Sequence, residues 1–194
     1  MQKKIEVEVR ALLEDRKRVE RNLMAKGARL VQRIHVTDHW YCDARAKNPT
    51  DASIDSSGYA LRLREVRNAG ERRKATSLEC KTLVDRASHS FCNEYEVAID
   101  SPLNGRKILE SIGLKLFLTV EKERTLYQLR DIKFFFDSIK GIGEGLEVEM
   151  MVPRVAVERA YVAARRVLEE IGVKKRELLV KSLTRLAIER FSHF

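Results

Sequence analysis

Only three cysteines occur in the chain, Cys42, Cys80 and Cys92. An odd number without CxxC spacing excludes a disulfide framework and reads as free thiols in a reducing compartment. Close ligand pairs of the kind found in zinc motifs are also missing, so a zinc site built from these thiols and His39 is not expected. Long hydrophobic runs are absent. No apolar stretch approaches the ~20 residues that cross a bilayer, and no segment has the form of a secretory leader. The cytoplasm is the expected compartment, without a membrane partner. Aromatic residues make up 7% of the chain, too few for a surface that stacks bases between exposed cations. Nucleic acid is therefore not the expected partner.

Charge is abundant. Asp, Glu, Lys and Arg make up 35% of the 194 residues, and the formal net charge is +9. A basic balance of this size points to a polyanionic partner. The basic residues are spread along the chain and form no tail. The length fits one medium domain with a real core.

Period-2 alternation predicts strands over 4–10, 29–43, 59–67, 76–84, 92–100, 115–130, 132–140 and 145–151. Helical spacing predicts helices over 14–26, 104–112, 154–171 and 176–191. The third is the clearest, with an apolar stripe from Val157 through Leu168 to Ile171, Pro153 near its start and Gly172 after its end. Segments 44–58, 68–74 and 85–90 read as loops. The chain also echoes itself. "LMAKGARL" (23–30) resembles "LESIGLKL" (109–116), and at a shift of about 86 residues "IEVEV" falls near "NEYEV". Two related halves, about 1–90 and 91–194, are expected within one domain covering 1–194. Roughly eight strands without parallel-type runs predict a mainly antiparallel α+β fold. Such a sheet must hide its edges or close into a barrel.

Strand parity decides what the charges do. "IEVEVR" sets Glu6, Glu8 and Arg10 opposite Ile5, Val7 and Val9. "YALRLRE" sets Arg62 and Arg64 opposite Leu61 and Leu63. "SLECKTL" sets Glu79 and Lys81 opposite Leu78 and Cys80. "TVEKERTL" gives Lys122 and Arg124 one face, shared with Val120, and "LEVEM" sets Glu147 and Glu149 opposite Leu146, Val148 and Met150. "IKFFFDSIKG" leaves the face of Asp137 open. Taken singly, each charged face reads as a solvated one. Taken together, the helices need apolar sheet faces, so the charged faces are expected to converge inside a closed sheet. Enclosed charges are costly unless paired or ligated. Carboxylates there suit Mg²⁺ or Mn²⁺, and arginines and lysines suit phosphate.

These motifs carry a resemblance. "IEVEVR" is similar to the ExExK signature of the CYTH superfamily, the triphosphate tunnel metalloenzymes. "YALRLR", "LECK", "EKER" and "DSIKGIGEGLEVE" follow in that family's order over nearly the whole chain. The resemblance implies a closed eight-stranded antiparallel β-barrel with helices outside, binding a triphosphate-containing small molecule with Mg²⁺ or Mn²⁺. It implies metal ligation by Glu6, Glu8, Glu147 and Glu149, and substrate binding by Arg62, Arg64, Lys81, Lys122 and Arg124. Glu6, Glu8, Arg10, Asp137 and Glu147 are the implied catalytic set. The expected activity is a metal-dependent triphosphatase. A class IV adenylyl cyclase is the alternative, since the last motif is similar to the cyclase form, and a non-catalytic polyphosphate or nucleic-acid binder is a further one. A monomer or homodimer is expected.

Two positions depart from the family pattern. Arg10 replaces the motif lysine, keeping the charge but not the capacity to transfer a proton. Ser182-Leu183 stands where many relatives have Ser-Tyr, leaving Tyr41 as a substitute hydroxyl or a packed strand aromatic. His35, His39, His89 and His193 read as surface or loop residues, and Arg72–Lys74 as a solvated loop.

Overall fold

The computed structural model describes residues 4–191 apart from 49, 53, 69–73 and 86–87. His193, Arg72 and Arg73 lie outside the described residues, as does the side chain of His89. The expected strands form. They are β1 (Lys4–Leu13), β2 (Arg29–Asp43), β3 (Tyr59–Asn68), β4 (Ala75–Asp85), β5 (Ser88–Ala98), β6 (Leu114–Leu129), β7 (Ile132–Ile139), β8 (Gly143–Pro153) and a short β9 (Leu178–Leu179). The helices are α1 (Arg16–Ala25), α2 (Ile54–Ser57), α3 (Pro102–Ser111), α4 (Val157–Glu170) and α5 (Leu183–Phe191). The sheet runs β5-β4-β3-β2-β6-β7-β8-β1-β9, and β5 also pairs with β1. That last pairing closes eight antiparallel strands into a barrel and removes their edges. No helix among the described residues is long and apolar enough to cross a membrane.

Local chemistry sets the helix ends. Asp15 caps α1 by accepting from the Arg18 amide at 3.0 Å, and Ser101 caps α3 by accepting from the Asn104 amide at 3.2 Å. Pro102 then stands in the first turn of α3, where its missing N–H costs nothing. Gly27 and Gly113 follow the two helices with φ of +90° and +88°, left-handed values that admit glycine without strain.

Two expectations are corrected. The helix expected over 176–191 is broken. Leu178 and Leu179 pair with Ala11 and Arg10 as β9, and the buried Glu177 carboxylate accepts from the amides of Glu14 (2.8 Å) and Lys174 (2.6 Å). Backbone groups committed to the sheet and to this cap cannot continue a helix, so α5 starts only at Leu183. The loop expected over 44–58 contains α2, and β4 and β5 take most of the loop expected over 85–90.

By its contacts the chain divides into two units, residues 1–33 with 123–183, and residues 34–122 with 184–194. In the first, the apolar faces of β1, β7 and β8 pack on α1 and α4. Val9, Phe134, Phe136, Leu146 and Val148 meet Val19, Leu23, Ala164 and Leu168 in one buried cluster. In the second, Tyr41, Leu63 and Leu109 form a smaller buried cluster, joined by Leu61, Leu78 and Ile99. In each unit, helices cover one face of the strands. The charged residues stand on the other.

Candidate active site

On β1 both faces are buried. Ile5, Val7 and Val9 lie in the core, yet Glu6, Glu8 and Arg10 are only 4%, 8% and 7% exposed. A half-solvated strand would expose alternate residues, so the solvated reading of this strand is excluded. The register of β1 with β8 sets Glu8 opposite Glu149 and Arg10 opposite Glu147. Like charges directly opposite destabilise a strand pair. Glu6, Glu8 and Glu149 bring carboxylate oxygens within 4.8 Å of one another. Arg10 answers part of that charge, its Nε donating to Glu8 at 2.5 Å. An all-oxygen group of three carboxylates suits a hard divalent cation.

Glu147 lies outside that group and is engaged elsewhere. Arg124 donates through Nε and Nη2 to the two oxygens of Asp137, both at 2.6 Å, and through Nη2 to Glu147 at 2.8 Å. Asp137 is fully buried, and since Phe134 and Phe136 lie in the core, alternation turns it to the other face of β7, with Phe135. The Arg124 guanidinium lies over the Phe135 ring, 4.5 Å from its centroid. Burial works against the Arg124 charge, but Asp137, Glu147 and Glu149 outweigh it and raise its pKa well above the usual arginine value. Arg124, which the resemblance groups with the phosphate-binding cations, has acids of its own unit as hydrogen-bond partners, as Arg62 and Arg64 do in theirs.

The second unit gathers the remaining cations. Arg62 donates through Nε (2.8 Å) and Nη2 (2.5 Å) to Glu79. Arg64 forks onto Asp38 through Nε (2.6 Å) and Nη2 (2.9 Å). Lys122 stands 3.6 Å from Asp38, and Lys81 stands 3.6 Å from Glu94. The register explains the convergence, with Asp38 opposite Arg64 and Arg62 opposite Glu79. Burial would raise the Asp38 pKa, yet Arg62, Arg64 and Lys122 hold its carboxyl well below the usual carboxylate range. Glu79 is lowered likewise, burial again being outweighed by Arg62 and Arg64. The Arg62 guanidinium lies 5.0 Å from the centroid of Trp40.

Asp38 and Glu79 were not among the expected site residues. Glu79 was legible, since it alternates with Lys81 on one face. Asp38 lies in "VTDHWY", in a strand whose faces sequence pattern does not assign. One further reading is corrected, and of the two alternatives for Tyr41 the packed aromatic is the one found. His39 is buried on the opposite face of β2, within reach of Thr119 (3.2 Å), Glu65 (3.2 Å) and Arg106 (2.9 Å). Tyr41 packs in the core beside Leu63 and Leu109, on the face away from the charges, so it cannot supply the missing hydroxyl.

A closed barrel whose strands bury carboxylates and guanidiniums on the faces turned from the helices defines a protein built to hold charged groups. The chain belongs to the CYTH domain family, which it matches over residues 4–183. It is 24% identical over 184 residues to a Methanocaldococcus jannaschii protein named "putative adenylate cyclase", covering 94% of this chain and 98% of the relative. A Pyrococcus horikoshii protein superposes with a TM-score of 0.79 at 22% identity, covering 96% of this chain and 99% of that one. A Hippeastrum protein described as a "putative adenylyl cyclase" with a dominant triphosphatase activity superposes with a TM-score of 0.58 at 15% identity, covering 96% and 95%.

Proposed function

We propose that the protein is a divalent-metal-dependent phosphohydrolase acting on a triphosphate-containing small molecule. The observation that supports this most directly is the trio of Glu6, Glu8 and Glu149, the first two buried and the third half-buried, with Glu8 set opposite Glu149. Carboxylate oxygens brought within 4.8 Å of one another, two of them from residues directly opposite in the strand pair, repel each other, and a hard divalent cation among them suits that oxygen set. On this reading Glu6, Glu8 and Glu149 would hold Mg²⁺ or Mn²⁺, with Glu147 a further carboxylate of the same strand face. Bound there, the ion would supply charge neutralisation and polarisation of phosphate oxygens.

The residues of the chain do the rest. Arg62, Arg64, Lys81 and Lys122 bind the phosphate oxygens, the arginines by forked hydrogen bonds and the lysines as point charges. Arg124 is held by Asp137 and Glu147 to face the charge that develops on the leaving phosphate. Arg10 orients Glu8 through its Nε hydrogen bond. Proton transfer falls to a carboxylate, Glu147 being the candidate, because an arginine keeps its proton. The rate gain comes from positioning and fixed charge. The test is a panel of tripolyphosphate, thiamine triphosphate and ATP, each with Mg²⁺ and with Mn²⁺, scored for orthophosphate. Release that needs both metal and Glu149 is the expected result, and turnover unaffected by chelator defeats the proposal.

The name of the Methanocaldococcus relative favours one second reading, cyclisation of ATP to cyclic AMP and pyrophosphate on the same charged rows. ATP with Mn²⁺, analysed for cyclic AMP against orthophosphate, separates the two.

A further inference from the structure

We propose that Asp38 is a positioning residue that sets the cationic row for phosphate; this rests on the triphosphate reading above. Asp38 is 2% exposed and faces three cations. Arg64 takes both of its oxygens through the Nε–Nη2 fork, Arg62 Nε stands 3.7 Å from Oδ1, and Lys122 Nζ stands 3.6 Å from Oδ2. The fork that Asp38 occupies leaves the Nη1 side of Arg64 toward Glu79, at 3.4 Å. That contact is longer and single, one that a phosphate oxygen can replace. The Asp38 fork fixes the guanidinium plane while this happens.

The other unit carries the same device. Asp137, also fully buried, grips the Nε–Nη2 fork of Arg124, and Glu147 takes a further contact from Nη2. In both units a buried aspartate holds an arginine by its Nε–Nη2 edge while a glutamate also touches the guanidinium, at Nη1 of Arg64 and at Nη2 of Arg124. In both, an aromatic ring on the charged face lies under a guanidinium, Trp40 under Arg62 and Phe135 under Arg124. Guanidiniums held in advance lose little conformational freedom on binding and need no reorganisation during reaction.

Positioning and plain electrostatics make opposite forecasts. Asp38→Asn raises the local charge by one unit, so electrostatics alone predicts tighter binding of an anion. If Asp38 positions the row, binding weakens despite the added charge, by ~10- to 100-fold, the range seen when outer partners of a site are lost or groups are displaced by about 1 Å. The probe is tripolyphosphate, titrated calorimetrically against the full chain without metal and then assayed for kcat and KM with Mn²⁺. Asp38→Glu accompanies it, since it keeps the charge and leaves no buried cation uncompensated but shifts the fork by one methylene. Weaker tripolyphosphate binding and raised KM in Asp38→Glu, with cooperative melting retained, is the expected result. The same loss in a folded Asp38→Asn strengthens it. Binding equal to or tighter than wild type in either folded variant overturns the assignment. Absence of tripolyphosphate binding by the wild-type chain instead overturns the triphosphate reading and this inference with it.

Discussion

In the unit of residues 1–33 and 123–183, the buried Glu6, Glu8 and Asp137 and the half-buried Glu147 and Glu149 outnumber the enclosed cations of their face, Arg10 and Arg124, with the exposed Lys133 opposite Glu149. In the unit of residues 34–122 and 184–194 the excess among the enclosed groups is reversed, with Arg62, Arg64 and Lys122 facing Asp38 and Glu79, while Lys81 stands by the exposed Glu94. Both units place the charges on strand faces turned from helix-packed cores. Both hold one arginine in a buried aspartate fork. What differs is the sign of the remainder, and the remainder defines the ligand. An acidic excess calls for a cation and a basic excess for an anion.

The comparison is broken most forcefully at the acidic remainder. Glu149→Gln removes one of the facing carboxylates and is expected to abolish Mn²⁺ binding and lower tripolyphosphate turnover by ~100-fold or more, while metal-free binding of tripolyphosphate persists. Titration of Mn²⁺ followed by its paramagnetic resonance checks this, and an unchanged affinity for Mn²⁺ would remove Glu149 from the site. Next in size is the inner arginine of that unit. Arg124→Ala leaves Asp137 buried without its partner, and the expected loss is ~3–5 kcal/mol of stability. Urea unfolding measures it, with Arg124→Ala/Asp137→Ala recovering part.

At the basic remainder, Arg64→Ala is expected to weaken tripolyphosphate binding by ~10- to 100-fold, the worth of a charge-assisted forked contact, without altering Mn²⁺ affinity. A joint loss of both affinities would show that the two remainders do not act separately. Arg10→Lys has a smaller effect. It gives up the fixed Nε contact to Glu8 and is expected to raise Mn²⁺ affinity several-fold, as a flexible ammonium competes less for that oxygen. Equal affinity would mean that Arg10 does not compete with the ion.

The smallest effect is at His39. Burial, and then Arg106, hold its pKa below the usual 6.5, against Glu65 and Asp38. A depressed histidine favours folding while it stays neutral, so its contribution is present above about pH 6.5 and is lost as pH falls toward the folded value. Thermal melts from pH 7.5 to 5.5 should show a slope that His39→Gln flattens. An identical slope in the variant would assign the loss to other groups.

Much of this was legible in the residues. Alternation in "IEVEVR", "YALRLR" and "LEVEM" places Glu6, Glu8, Arg62, Arg64, Glu147 and Glu149 on common strand faces, because side chains on a strand alternate whatever the surroundings. The capped helices at Asp15 and Ser101, and the glycines that end them, follow from local chemistry in the same way. Cross-strand partners were not legible. Nothing in "VTDHWY" says that Asp38 lies opposite Arg64, and nothing in "FFFDS" says that Asp137 belongs to Arg124. Asp38 meets Arg64 through the register of β2 with β3, and Asp137 meets Arg124 across the β6–β7 hairpin, whose strands are separated only by Arg130 and Asp131. In each case register, which alternation does not give, makes the pair. The break at Leu178 has the same origin: a helical pattern gave way to a strand pairing available only on the finished sheet.

Residue order by itself determined the strand faces, the helix caps and the supply of opposite charges, since each depends on near neighbours and backbone geometry. Tertiary structure decided which charge answers which. Ion pairs such as Arg64 with Asp38 and Arg124 with Asp137 join residues on different strands, and their energies depend on burial and distance that only the assembled sheet creates.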